Sequence, residues 1–230
     1  MLKEFLSLFR SGEPLQAMTD NFSKMLELSL ELVKEGGNAF FSPGIAAEQV
    51  QAIERRDVEI NKLERKIRKQ VVVHLSLANN AVDLPHCLVL MSLVKDVERI
   101  GDYAKELAGL RKMWPGPLPD DELCSALASL RAQVEADLAA ASSAFTHADR
   151  EAAVSLIRKW RELAERADGL IRKIADSAHS ARTAVKLALA SRFYGRIAGH
   201  VLNLLSGVVM PLHRLDYHDE KDIEHASGLS

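Results

Sequence analysis

The segment VERIGDYAKEL, residues 97–107, sets Glu98 and Asp102 four residues apart on either side of Gly101. In a helix this spacing puts both carboxylates on one face, where like charges cost a few tenths of a kcal/mol, and an interior glycine costs about 1 kcal/mol more. Upstream, positions 50, 53, 57, 60, 64, 67, 71 and 74 read Val, Ile, Asp, Ile, Glu, Ile, Val, His at alternating spacings of three and four. That is a heptad-like seam with Asp57 and Glu64 inside it, and Asn61 lies one turn after Asp57 on the same side. A second seam, Leu93, Val97, Ile100, Ala104 and Leu107, carries Glu98 and Asp102 on its shoulder. Several oxygen donors would then converge between two helices, where unpaired burial is costly. Proximity to solvent, pairing with Lys or Arg, or a bound cation would each relieve that cost. Oxygen-rich sites suit Mg, Ca, Mn or iron. Lys95 and Lys105, three residues from Glu98 and Asp102 respectively, offer local ion pairs as the plainer account.

These seams need long helices, and the chain supplies them. Periodicity of 3.5 to 3.6 runs through most of the 230 residues, and no period-2 strand stands out. Aromatic residues make up only 5% of the chain. The pattern predicts helices over about 13–34, 45–77, 84–113, 121–145, 151–178 and 182–209. The first is expected to stop at Gly36-Gly37 and the last at Pro211. The segment WPGPLPDDE, holding Pro115, Pro117 and Pro119, divides the helices into three and three. The halves also align. VERIGDYAKEL at 97–107 matches YGRIAGHVLNL at 194–204, and INKLERKI at 60–67 matches ADGLIRKI at 167–174. The offsets differ by ten residues, so the second half has the shorter connection. The expected fold is all-α, a tandem pseudo-repeat of two three-helix bundles. Its expected parts are a first repeat at 1–114 with a short N-terminal helix, a degenerate second repeat at 115–212, and a tail at 213–230.

Other features bound the function. With 30 basic and 32 acidic residues the chain lacks the basic excess of a general nucleic-acid binder. Cys87 and Cys124 form no CxxC pair, which points to a reducing compartment and a cytoplasmic location. The N-terminal stripe Leu2, Phe5, Leu6, Phe9 is expected to pack on the protein's own body. The apolar stretch 185–212 is interrupted by Lys186, Arg192, Arg196 and His200, too charged for a simple membrane span. The run Arg65, Lys66, Arg68, Lys69 reads as a solvated face, and His74 as a satisfied core histidine. The tail's His213, Asp216, His218, Asp219 and His225 lack tight ligand spacing. No Glu-x-x-His pair sits on a core helix, and no Ser-His-Asp arrangement, phosphate-cradling glycine loop or HExxH motif is present, so the expectation is a protein that is not an enzyme.

DVERIGDYAKEL closely resembles the signature D-L-E-R-I-G-D-x-A-x-N-I of PhoU-type phosphate-signalling proteins. DVEINKLERKI at 57–67 resembles the helix that precedes it in that family. The resemblance implies a regulator built from tandem three-helix bundles that binds metal through E/DxxxD motifs. It also implies action with a phosphate transporter and a membrane histidine kinase, and hence peripheral membrane association through partners. By position the metal candidates are Glu98 and Asp102, with Asp57, Asn61 and Glu64 opposite. The ion would be divalent or ferric: iron, zinc, manganese, magnesium or calcium. The second repeat departs from the pattern. Gly195 and Gly199 stand at the two acidic positions, leaving Asp168, aligned with Asn61, as an orphan acid. Instead Ser191, Gly195, Gly199, Asn203 and Gly207 form a strip of small residues, a candidate interface for the other half, a second copy in a homodimer, or a partner. The alternative is a metal-free helical scaffold or adaptor in which the acids merely pair with lysines.

Overall fold

In the computed structural model, residues 13–216 are described, and among them the chain is all-helical with no strand. The expectations for residues 1–12 and for the tail beyond Asp216 lie outside the described residues. Six long helices follow in order: α1 Glu13–Phe41, α2 Ala47–Leu75, α3 Leu84–Met113, α4 Glu122–Thr146, α5 Arg150–Ala175 and α6 Ala181–Val209. Short 3-10 turns cover Ala78–Asp83 and Leu212–Arg214.

Local chemistry fixes most helix ends. Asp121 accepts from the Cys124 amide at 3.0 Å, Asp149 from the Ala152 amide at 3.0 Å, and Ser180 from the Thr183 amide at 3.3 Å, each satisfying a first-turn donor. Pro85 opens α3, where a missing N–H costs nothing. Pro115 and Pro211 follow the ends of α3 and α6.

The end of α1 differs from the sequence expectation. The helix does not stop at Gly36-Gly37 but continues to Phe41. A Cβ on Gly36 would lie 2.0 Å from the Ala104 carbonyl oxygen of α3. At this crossing the two backbones touch, and glycine serves the contact rather than a helix stop. The remaining boundaries shift by no more than about one turn, as frayed ends do.

α1, α2 and α3 pack on one another, as do α4, α5 and α6. α3 and α6 lie at the centre, each packed within its own three-helix group and against the other, while α1 also meets α4. The α3 seam Leu93, Val97, Ile100, Ala104 and Leu107 is buried throughout, and on α2 the structure buries Ile53, Asp57, Ile60, Ile67, Val71 and His74 but leaves Val50 and Glu64 half-buried. Trp160 is fully enclosed in the other group. α3 starts 97 residues before α6, the offset of the aligned motifs. The ten extra residues therefore lie before α3, where α2 runs two turns beyond Ile67 into the 3-10 turn. His74 sits in that extension as a core histidine. Its Nε2 is 2.8 Å from Asp83 Oδ2, and Asn80 donates to its backbone carbonyl at 2.9 Å.

Candidate functional site

The acids of α2 and α3 meet because Gly101 lets the helices close. A Cβ there would come within 3.0 Å of Ile60 Cδ1 on the buried seam of α2. With Ile60 seated against Gly101, Asp57, Asn61 and Glu64 face Glu98 and Asp102 across one groove. The residues are partly screened: Asp57 is buried and the other four are half-buried.

Lys105 occupies the middle of this arrangement. Its Nζ donates to Asp57 Oδ2 at 3.0 Å and to Asp102 Oδ1 at 3.1 Å, bridging the two helices. Burial opposes the Lys105 charge, but the two carboxylate hydrogen bonds outweigh it and raise its pKa. Asn61 Nδ2 donates to Asp57 Oδ2 at 3.3 Å. Arg99 pairs with Asp102 at 2.9 Å and reaches Glu98 at 3.5 Å, while Glu64 pairs with Arg68 at 2.7 Å. The expected local pairing holds for Lys105 with Asp102. On the other side Arg99, not Lys95, serves Glu98. The bridge from Lys105 to Asp57 has no signal in the sequence, because it depends on the register between two helices. Of the run Arg65, Lys66, Arg68 and Lys69, all are exposed.

Glu98 has the longest ion pair of the group, to Arg99 at 3.5 Å. Burial pushes its carboxyl up to about 7, and the negative charges of Asp102, Glu64 and Asp57 add to the effect against the opposing Arg99. Among the described residues no three His, Cys, Asp or Glu side chains stand close enough to grip one ion. The chemistry of the donor set, four carboxylates and an amide, suits a hard cation. The side chains as placed are closed around Lys105 instead.

The pKa of Glu98 has a measurable consequence. Below about pH 4.5 the group is protonated in both folded and unfolded chains and has no effect. As pH rises towards 7 the unfolded chain releases the proton while the folded one holds it, so stability falls, and above 7 the loss is complete. For a half-buried, partly screened group the loss is about 1 to 2 kcal/mol. A Glu98→Gln variant should therefore be more stable than the parent at pH 8 in metal-free buffer, with the difference vanishing by pH 4. Denaturant titrations at the two pH values check this, and equal stability at pH 8 would refute it.

The second-half counterpart holds no such cluster. Asp168 is not an orphan: it accepts from Arg192 Nη1 at 3.2 Å. The small-residue strip divides between neighbours. Ser191 Oγ donates to the Ala167 carbonyl at 2.9 Å, and a Cβ on Gly195 would lie 3.0 Å from Ala167 Cβ, so both face α5 of their own half. Asn203 and Gly207 face α3, and a Cβ on Gly199 would meet nothing within 4 Å. Where the strip meets α3, the structure places a group that the sequence reading passed over. Asp96, fully buried, accepts from His200 Nδ1 at 2.8 Å and Asn203 Nδ2 at 2.9 Å.

Cys87 and His86 lie below the groove's chemistry in reactivity. Burial pushes the Cys87 thiol up to about 11 and holds the His86 imidazole down to about 4, so neither is a thiolate nor a cation at neutral pH.

The family model of the PhoU domain matches residues 15–110, from the first turn of α1 to the last turn of α3. The whole described fold is similar to solved PhoU structures. PhoU from Pseudomonas aeruginosa superposes with a TM-score of 0.75 at 21% identity, covering 90% of this chain and 99% of that one. The phosphate transport system regulatory protein PhoU from Streptococcus pneumoniae gives 0.74 at 19% identity, over 89% and 95%. A search of curated proteins finds no match to this sequence. The segment matched by the family model contains every acid of the groove. No described helix is long and apolar enough to cross a membrane.

Proposed function

We propose that this chain is a PhoU-like regulator of phosphate uptake and phosphate-starvation signalling that binds a divalent or ferric ion through its ExxxD motif. The supporting observation is that the segment matched by the PhoU family model sets Glu98 and Asp102 against Asp57, Asn61 and Glu64 in one groove, with the Glu98 carboxyl pushed up to about 7. In this reading the protein is cytoplasmic, non-enzymatic and homodimeric. It meets the membrane through a phosphate transporter and a histidine kinase. A bound cation would neutralise the carboxylates and fasten α2 to α3. The five side chains supply the oxygen donors, and Lys105 must give way.

The test is metal content after equilibration with Mn(II) or Fe(III) and desalting. The Glu98→Ala/Asp102→Ala double variant should retain at least about tenfold less metal than the parent, as loss of two charged ligands implies. Equal retention would remove these residues from the site. Phosphate-dependent capture of the transporter or kinase tests the signalling role separately.

The Lys105 bridge between Asp57 and Asp102 favours a second reading, a metal-free helical adaptor. A Lys105→Met variant separates the two. A metal site predicts tighter metal binding and stability recovered by the ion. An adaptor predicts a destabilised protein that no metal rescues.

A further inference from the structure

Exposed apolar side chains are not spread evenly over the molecule. Nine large ones stand out among the described residues, and six of them, Val72, Val73, Leu77, Val82, Leu84 and Leu88, lie between residues 72 and 88. Each is between 45% and 74% exposed. α2 ends at Leu75, and the 3-10 turn Ala78–Asp83 joins it to α3, so the six share one hairpin end of the molecule. Single exposed hydrophobic residues need no account, but a group gathered at one end does. The tip is braced from within by the contact of His74 with Asp83 at 2.8 Å and by the Asn80 bond to the His74 carbonyl. The stretch from 72 to 88 holds no Phe, Trp or Tyr.

A basic collar stands behind this tip. Arg65, Lys66, Arg68 and Lys69 are all exposed on α2. Arg65, Lys69 and Val73 follow at intervals of four, so they fall along one line of the helix surface. At the helical rise, Lys69 lies about 6 Å and Arg65 about 12 Å behind Val73. On α3, Leu84 and Leu88 are one turn apart, and the exposed Lys95 stands about 10 Å behind Leu88. Glu64 takes up Arg68 at 2.7 Å, and Lys66 donates to Asn21 at 3.0 Å. Arg65, Lys69 and Lys95 make no ion pair among the described residues. From residue 65 to residue 95 the sole acid is Asp83, buried against His74.

We propose that the α2–α3 tip docks on an anionic lipid surface, its aliphatic side chains entering the boundary between headgroups and acyl chains and its collar of bases meeting the lipid phosphates. Interfacial elements sink about 5 to 10 Å into that boundary. With Val73 and Leu77 submerged to this depth, Lys69 and Arg65 stand at headgroup level, and their long stems let the charges stay there. Each base near an anionic surface adds attraction that salt screens. A second copy fits less well, because a two-fold interface would set two collars of like charge against each other. A protein partner fits less well too, since such interfaces draw their strength from Tyr, Trp and Arg at the centre, and this tip is aliphatic. The contact is with lipid itself, separate from any made through a transporter or kinase. The tip holds none of the groove's acids, so the contact is independent of metal binding.

The experiment is co-sedimentation of the full chain with vesicles of phosphatidylcholine alone and of phosphatidylcholine with roughly one-third phosphatidylglycerol. The anionic vesicles should bind the protein at least about tenfold more tightly than the neutral ones, and added salt should weaken that binding. Arg65→Gln/Lys69→Gln should weaken it about 20-fold, from two lost charges. Val73→Asp should weaken it by about tenfold or more, and Val185→Asp, an exposed valine on α6 outside the tip, should bind as the parent does. All four positions are exposed, and circular dichroism verifies that each variant is folded. The proposal is overturned if anionic vesicles bind no better than neutral ones, or if Val73→Asp binds them as the parent does. Sedimentation velocity supplies the remaining arm: a parent dimer that Val73→Asp dissociates would assign the tip to a second copy and overturn the lipid contact.

Discussion

Gly36→Ala should lower the stability of this protein by about 2 kcal/mol, although alanine is the better helix former. Two effects oppose each other. Within α1 the substitution gains about 1 kcal/mol of helix propensity. Against it, the new methyl would lie 2.0 Å from the Ala104 carbonyl oxygen and 2.9 Å from its carbon. These are backbone atoms, so no rotamer change relieves the overlap. Either α1 and α3 must separate along their length or α1 must kink, and overpacking of this kind costs about 1 to 3 kcal/mol and occasionally more. The clash therefore outweighs the propensity. For a chain of this size 2 kcal/mol corresponds to a fall of roughly 4 to 8 °C in Tm. Gly199→Ala is the matched control: its Cβ meets nothing within 4 Å, so propensity alone acts and stability should rise by about 0.5 to 1 kcal/mol. Thermal scans of both variants check the pair. A stabilised Gly36→Ala protein would show that the α1–α3 crossing is looser than described. A Gly199→Ala protein that loses a dimer seen in the parent would mean that another copy covers the open face.

The same glycine explains where the sequence misled. Gly36-Gly37 carries the local signal of a helix end, and only the presence of α3 beneath it reverses that meaning. Signals carried within one helix were legible. Pro211 and both seams follow from spacing that a single helix imposes on itself. So does the placing of Glu98 and Asp102 on a shoulder. What needs two helices at once was not legible. Lys105 reads as an i,i+3 partner of Asp102, yet half of its work is across the groove at Asp57, a contact fixed by the seating of Ile60 on Gly101. Arg111 reads as one more base in the last turn of α3, and its burial becomes evident only when the Pro115 turn and α6 close over it. The acid groove itself was legible because its members lie on two seams with a common period. The ten-residue difference between repeats was legible as a length, but not as two further turns of α2.

Asp96→Ala should cost about 3 kcal/mol and weaken the joint between the two halves of the molecule. Asp96 on α3 is fully buried and accepts from His200 and Asn203, both on α6, so its carboxylate ties the central helices together. One effect favours the substitution: Asp96 Oδ2 is buried with no partner, and removing it recovers desolvation energy. The opposing effect is larger. Two donors lose a charged acceptor at once, each worth about 1.5 to 3 kcal/mol. Asp96→Asn should cost less, since an amide oxygen can still accept from both donors. The stacking of the same His200 on Tyr103, two turns beyond Asp96 on α3 and at 5.8 Å between ring centres, should loosen with the joint. Unfolding of Asp96→Ala followed separately by Trp114, in the linker between the halves, and Trp160, in the second half, is the informative measurement. With the joint intact both report one transition. If Asp96 holds the halves together, the two signals should separate in Asp96→Ala and merge again in Asp96→Asn. A single unshifted transition in Asp96→Ala would assign cohesion to the apolar α3–α6 contact alone, such as Leu93 against Gly207.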